Sequence, residues 1–189
     1  VKTSPKISFR ILIFSAAATA LTACAGMKSG RPDDAPPLRT VERVDLQRYA
    51  GLWYEIARYP TSFQRNCEGV TAEYSLRPDG RVGVVNTCRA GTATGAPRRA
   101  RGVATVIEGS NNAKIAVNFA PIPLPKGQGN YWVIDLDPAY RTAVVASPSG
   151  DALWFLSRTP TVTPDQRARM EAAARDQGFD LRMLKETLQ

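Results

Sequence analysis

Histidine is absent from all 189 residues. That one gap removes the commonest general base and a principal metal ligand, together with every catalytic triad that relies on imidazole. Cysteine is scarce, with three residues, and acidic groups are in deficit, with 17 Asp and Glu against 25 Lys and Arg. The formal charge is +8, and the arginines are scattered apart from Arg98, Arg99 and Arg101. Such a cluster either touches phosphate headgroups or lies on a solvated strand edge, and no motif accompanies it that would favour nucleic acid. No catalytic, metal-binding or cofactor-binding constellation is expected.

What is present begins with a leader. Lys2, Lys6 and Arg10 precede an apolar stretch, Ile11 to Ala20, that is too short to span a bilayer as a stable helix. Val1 is most simply an alternative start codon read literally. Leu21-Thr22-Ala23-Cys24 then resembles the bacterial lipobox, in which the cysteine is acylated and the leader is cut just before it. Residues 1–23 are therefore expected to be a lipoprotein signal peptide and Cys24 the lipidated residue. Removing the leader takes away three positive charges and leaves +5. One acyl chain anchors only marginally, so the resemblance implies multiple acylation. Ala25, rather than Asp, follows the cysteine, which by analogy with enterobacterial sorting points to the periplasmic face of the outer membrane.

With Cys24 assigned to lipid, Cys67 and Cys88 remain as a pair in an oxidising compartment, where a disulfide is the default and two free thiols the rival. They sit almost symmetrically about Pro78-Asp79-Gly80, flanked by the alternating runs Val70, Ala72, Tyr74, Leu76 and Val82, Val84, Val85. Closing that loop contributes about 3 kcal/mol in the chain-entropy picture.

Residues 24–44 read as a lipidated cysteine and flexible tether, rich in Gly, Pro and charge, with no apolar periodicity. The folded domain is expected over 45–189. Strands are predicted near 51–60, 69–77, 81–89, 100–108, 113–120, 130–137, 141–147 and 152–158, separated by turn signals. No long helical pattern interrupts them, so neighbours should pair as antiparallel hairpins. Eight such strands close into an all-β up-and-down barrel able to hold one small ligand, with an open sandwich as the alternative. Thr163 and Gln166 form a capping box, with Pro164 at the first helical position, for a C-terminal helix with a narrow Met170, Ala173, Ala174 stripe, ended by Gly178 and packed outside the barrel. Phe179 to Leu184 is expected to add a short strand.

Gly51-Leu52-Trp53-Tyr54-Glu55-Ile56 resembles the opening Gly-x-Trp motif of the lipocalins. Tyr131-Trp132-Val133-Ile134 with Asp137-Pro138-Ala139-Tyr140 resembles their second block, and Leu156-Ser157-Arg158-Thr159-Pro160 their third. The three occur in order with the right strand count between them. Within the family the similarity is to bacterial outer-membrane lipocalins and their apolipoprotein D relatives. It implies that Gly51, Trp53 and Arg158 build the barrel floor, with the guanidinium laid across the indole. It also implies a fatty acid, lysophospholipid or similar amphiphile as ligand, stored or transported without catalysis, and no cofactor. The alternative is a lipocalin-fold enzyme of the isomerase or de-epoxidase type, which would use a free Cys67 thiol or the Glu55 carboxylate. Alternation from Trp53 places Glu55, Ala57 and Tyr59 inward as ligand contacts, followed by Tyr74, Val84, Asn86, Val117, Phe119, Tyr131 and Val133. The apolar, proline-stiffened loop from Ala120 to Pro125 either rims the mouth or packs as a rigid connection. Nothing in the chain signals an oligomeric state.

Overall fold

The computed structural model describes residues 30–119 and 127–189; the leader, Cys24 and the loop Ala120–Pro125 lie outside them. Asp45 caps a single helical turn, α1 (Leu46–Tyr49), by accepting from the amides of Gln47 and Arg48. Eight strands follow: β1 (Gly51–Arg58), β2 (Cys67–Leu76), β3 (Val82–Ala90), β4 (Pro97–Val106), β5 (Lys114–Asn118), β6 (Tyr131–Leu136), β7 (Thr142–Ala146) and β8 (Leu153–Ser157). Each pairs antiparallel with its neighbour in sequence, and β1 pairs with both β8 and β2, which closes the cylinder. The barrel is the expected one, and its closure rules out the alternative of an open sandwich.

Period-two alternation sorts the apolar side chains into two layers. The inner layer holds Trp53, Tyr74, Val84, Val117, Val133, Val145 and Leu156. The outer layer, with Ile56, Trp132, Ile134, Val144 and Phe155, is covered by Met170 and Ala174 of α2 (Pro164–Asp176) and by Phe179. Thr163 and Gln166 form the reciprocal capping box, and Gly178 ends the helix at φ +84°. Arg169 ties α2 to the barrel by ion pairs to Asp135 at 2.9 Å and Asp137 at 3.3 Å.

A bulge in β1 overturns two sequence expectations. Glu55 pairs with Leu156, yet the next register partner of Phe155 is Ala57, so Ile56 is an extra residue. One added residue exchanges the two faces of everything after it. Ala57 and Tyr59 therefore point outward, and neither contacts the cavity. Tyr59 is buried against Phe179 and donates to the carbonyl of Asp180 at 3.0 Å. Arg58 takes the inward position instead.

The tether expected over 24–44 is also corrected from Gly30 onward. The Gly30 amide donates to Gly150 O at 3.2 Å, Val41 to Val133 O at 2.9 Å and Val44 to Asn111 O at 3.0 Å. Arg39 exchanges two hydrogen bonds with the Gln177 side chain, and Val44 is fully buried. The segment is thus a strap running down the outside of the barrel, and its backbone groups have protein partners that its composition did not reveal. The C-terminal strand is displaced as well. Leu181–Met183 forms a 3-10 turn, and β9 (Lys185–Glu186) pairs with Arg58 and Ala57 where β1 and β2 part.

Asp137 sits where the β6–β7 turn meets α2, and the hydrogen-bonded Arg141 guanidinium pulls its carboxyl down to about 2. A depressed carboxyl adds stability above its unfolded-state value of about 4, and that increment is lost as pH falls toward the folded value. Asp137→Asn should therefore melt below the parent protein at neutral pH, with the two melting curves converging between about pH 4 and pH 2.

Candidate functional site

The floor is built from the N-terminal turn upward. Gly51 enters β1 at φ +94°, a backbone conformation that disfavours any side chain, and an added Cβ would stand 3.4 Å from the Arg158 guanidinium. Trp53 is fully buried, and its indole N–H donates to Tyr49 O at 2.8 Å. Arg158 lies over the indole face at 4.0 Å from the ring centroid. The same guanidinium donates to Leu52 O at 2.8 Å, Arg48 O at 2.7 Å and Tyr140 O at 3.3 Å. One side chain thus covers the plug and satisfies three carbonyls around it.

Directly above, the hydroxyls of Tyr49, Tyr131 and Tyr74 form a chain at 2.7 and 3.0 Å. Burial drives all three phenols upward, Tyr74 to about 12. They remain neutral at any physiological pH and give the chamber a polar but uncharged base.

Over this base opens a cavity of about 550 Å³, within the range that accommodates small-molecule ligands. Its deep wall is Tyr74, Val84, Val117, Tyr131 and Leu156; Asn86, Asn118 and Phe119 lie higher, and Phe63, Arg98 and Arg99 stand at the mouth. Phe63 is 73% exposed. Cys67 and Cys88 form a disulfide with a Cα separation of 5.2 Å and also border the mouth.

Glu55 borders the cavity, but both of its oxygens are engaged. Arg58 and Thr187 reach one oxygen at 2.6 Å each, and Gln64 donates to the other at 2.7 Å. Arg58, 2% exposed, also donates to Cys67 O at 2.8 Å. Excellent geometry and extra hydrogen bonds are the conditions under which a buried ion pair is tolerated. Among the described residues no group of three or more metal-ligating side chains occurs.

The lipocalin-like domain family matches residues 44–189. The chain belongs to the lipocalin family. It is 39% identical over 173 residues to the outer membrane lipoprotein Blc of Escherichia coli, covering 91% of this chain and 93% of that protein. It is 28% identical to mouse apolipoprotein D, covering 80% and 79%. Insecticyanin from the tobacco hornworm, Manduca sexta, superposes with a TM-score of 0.62 at 17% identity, over 81% of this chain and 85% of that one, a likeness of fold. The name of the bacterial relative agrees with the outer-membrane location expected from the leader.

Of the expected contacts, this lipocalin brings Glu55, Tyr74, Val84, Asn86, Val117, Phe119 and Tyr131 to the cavity, whereas Val133 packs in the inner layer without lining it. Sequence reasoning missed Arg58, Gln64 and Thr187, whose positions depend on the β1 bulge and on the returning C-terminal tail, and Trp154, which alternation with Leu156 on β8 could have placed inward. Removing the floor clamp should cost stability before it changes specificity. Arg158→Ala is expected to lose about 2–4 kcal/mol in chemical denaturation, and Arg158→Lys should not restore it, since an ammonium cannot span the ring and three carbonyls. Reducing the disulfide should cost about 3 kcal/mol more, read as a shift of the denaturation midpoint with dithiothreitol.

Proposed function

We propose that this lipocalin is an envelope lipoprotein that stores or carries a single-chain amphiphile, such as a fatty acid or lysophospholipid, in its barrel, without catalysis. The observation that carries the reading is the chamber of about 550 Å³, apolar at depth and polar at its mouth, above a floor sealed by Trp53 and Arg158. A graded lining of this kind matches a molecule with one greasy end and one wet end. The enzymatic alternative is disfavoured because the Cys67 thiol is tied in a disulfide and the Glu55 carboxylate is held by Arg58, Gln64 and Thr187.

In the same reading, Cys24 carries the acyl chains that hold the protein on the outer membrane. The strap then acquires a role. It begins at Gly30, beside Gly150 in the β7–β8 turn, at the open end of the barrel. Six residue steps separate Cys24 from Gly30, a reach of at most about 20 Å. The anchor therefore keeps the mouth near the bilayer from which an amphiphile would come, not the 40–50 Å away that a tether running to residue 44 would permit.

Organic extraction of the purified protein followed by mass spectrometry should yield a single-chain lipid in roughly stoichiometric amount, and the processed N-terminus should be an acylated Cys24. Ala100 lies on the cavity wall opposite Asn86. Ala100→Trp should lower uptake of a fluorescent fatty acid at least about tenfold while leaving the melting temperature nearly unchanged, since the ring enters open volume. Undiminished uptake would place the ligand elsewhere.

A further inference from the structure

The cavity is not electrically neutral, and its imbalance sits at one place. Arg58 and Glu55 cancel within the wall, paired at 2.6 Å. At the mouth, Arg98 stands in register with Cys88, with its guanidinium 3.8 Å from the Cys88 sulfur. Cys88 follows Val84 and Asn86 on the inward face of β3, so Arg98 projects over the opening. Arg99 flanks it at the rim. Among the described residues no ion pair to a carboxylate engages either arginine, and Glu55 is the one carboxylate bordering the chamber. Below Arg98, the Asn86 carboxamide oxygen is buried without a protein partner, and below that the wall turns apolar at Val84 and Tyr74. The lining therefore grades from cationic to polar to apolar along β3 and β4.

We infer that the mouth selects amphiphiles by charge: Arg98 binds an anionic head, carboxylate or phosphate, while the acyl chain descends past Asn86 toward Tyr74 and Tyr131. This rests on the amphiphile-binding reading above. It goes further by fixing which end of the ligand faces out and which headgroups are preferred. A guanidinium is suited to this task, because its planar fork meets carboxylate and phosphate oxygens in pairs and stays charged at any relevant pH. The site is open to solvent, so the preference should be moderate and should weaken with salt.

The test uses the full-length chain carrying Cys24→Ser, so that no attached lipid competes. An uncharged naphthylamine dye loaded into the cavity reports occupancy, and four C12 competitors displace it: laurate, dodecyl phosphate, dodecylphosphocholine and dodecanol. The anionic pair is expected to compete about tenfold more tightly than dodecanol, as for one charge-assisted contact. Dodecylphosphocholine, whose phosphate is internally neutralised, should fall between them. Arg98→Gln should abolish the difference between the anionic pair and dodecanol, with every competitor read against the dye affinity measured for that same variant. Arg101→Gln, an equal change in net charge on the same strand but absent from the cavity lining, should preserve it. A tighter fit for dodecyl phosphate than for laurate would identify phosphate as the natural head, and the reverse would identify carboxylate; either supports the site. Equal competition by all four compounds, or a preference that survives Arg98→Gln, would overturn the headgroup site and leave the amphiphile reading standing. No dye uptake at all would overturn both.

Discussion

The stacking of Arg158 on Trp53 is the contact on which the rest of the molecule depends. A barrel of eight strands has two ends, and a binding chamber needs one of them shut. Plugging an end with an indole buries a large apolar face but leaves the neighbouring backbone carbonyls of Arg48, Leu52 and Tyr140 to be satisfied. A single guanidinium does both jobs, covering the ring and donating to all three carbonyls. No other side chain combines a flat cationic face with so many in-plane donors. Glycine stands at position 51 because the chain enters β1 there at positive φ, which strains any side chain, while the arginine itself would meet an added Cβ only at ordinary contact distance.

The sequence was informative wherever a local rule governs. The strand alternation, the turn at Pro78-Asp79-Gly80, the capping box at Thr163 and the three family blocks are all short-range patterns, and each appears where expected. The cysteine pair was legible for a different reason: once Cys24 had another assignment, two residues at matched distances from a turn had little choice in an oxidising compartment. What escaped were features set by tertiary partners. Nothing local in Glu55-Ile56-Ala57 announces a bulge, because its cause lies in the register with β8; the error then passed to Ala57 and Tyr59, while Arg58 went unnoticed. The strap was misread because proline, glycine and charge describe both a flexible tether and a segment whose hydrogen bonds go to distant residues such as Gln177 and Val133.

The bulge and the C-terminal tail form one device. Past Glu55, β1 parts from β2 and takes β9 as its partner, so the tail fills a seam in the wall near the mouth. Filling a seam exposes polar backbone to the interior. The structure meets this with charge: Lys185 and the Leu188 amide hold Glu68, Thr187 and Gln64 hold Glu55, and Arg58 binds Cys67 O across the gap. Lysine and the backbone amide accordingly hold the Glu68 carboxyl below its usual range despite the opposing effect of burial. The ionic network therefore belongs to the wall, and its charges are internally matched.

That matching is what gives the mouth its character. If Glu55 were free, the chamber would contain a carboxylate as well as two arginines, and an anionic guest would meet repulsion as well as attraction. Because Arg58 consumes that charge at 2.6 Å, the field felt by an incoming molecule is set by Arg98 and Arg99. The neutral tyrosine base adds no opposing charge at depth, since burial keeps its phenols protonated. Floor, wall and mouth thus divide the work by polarity: cation–π contact and carbonyl satisfaction close the base, a neutralised ion pair seals the side, and guanidinium groups with no carboxylate partner among the described residues stand at the mouth. A substitution that released Glu55 without unfolding the barrel would alter ligand charge preference from the wall, without touching the arginine that reads the head.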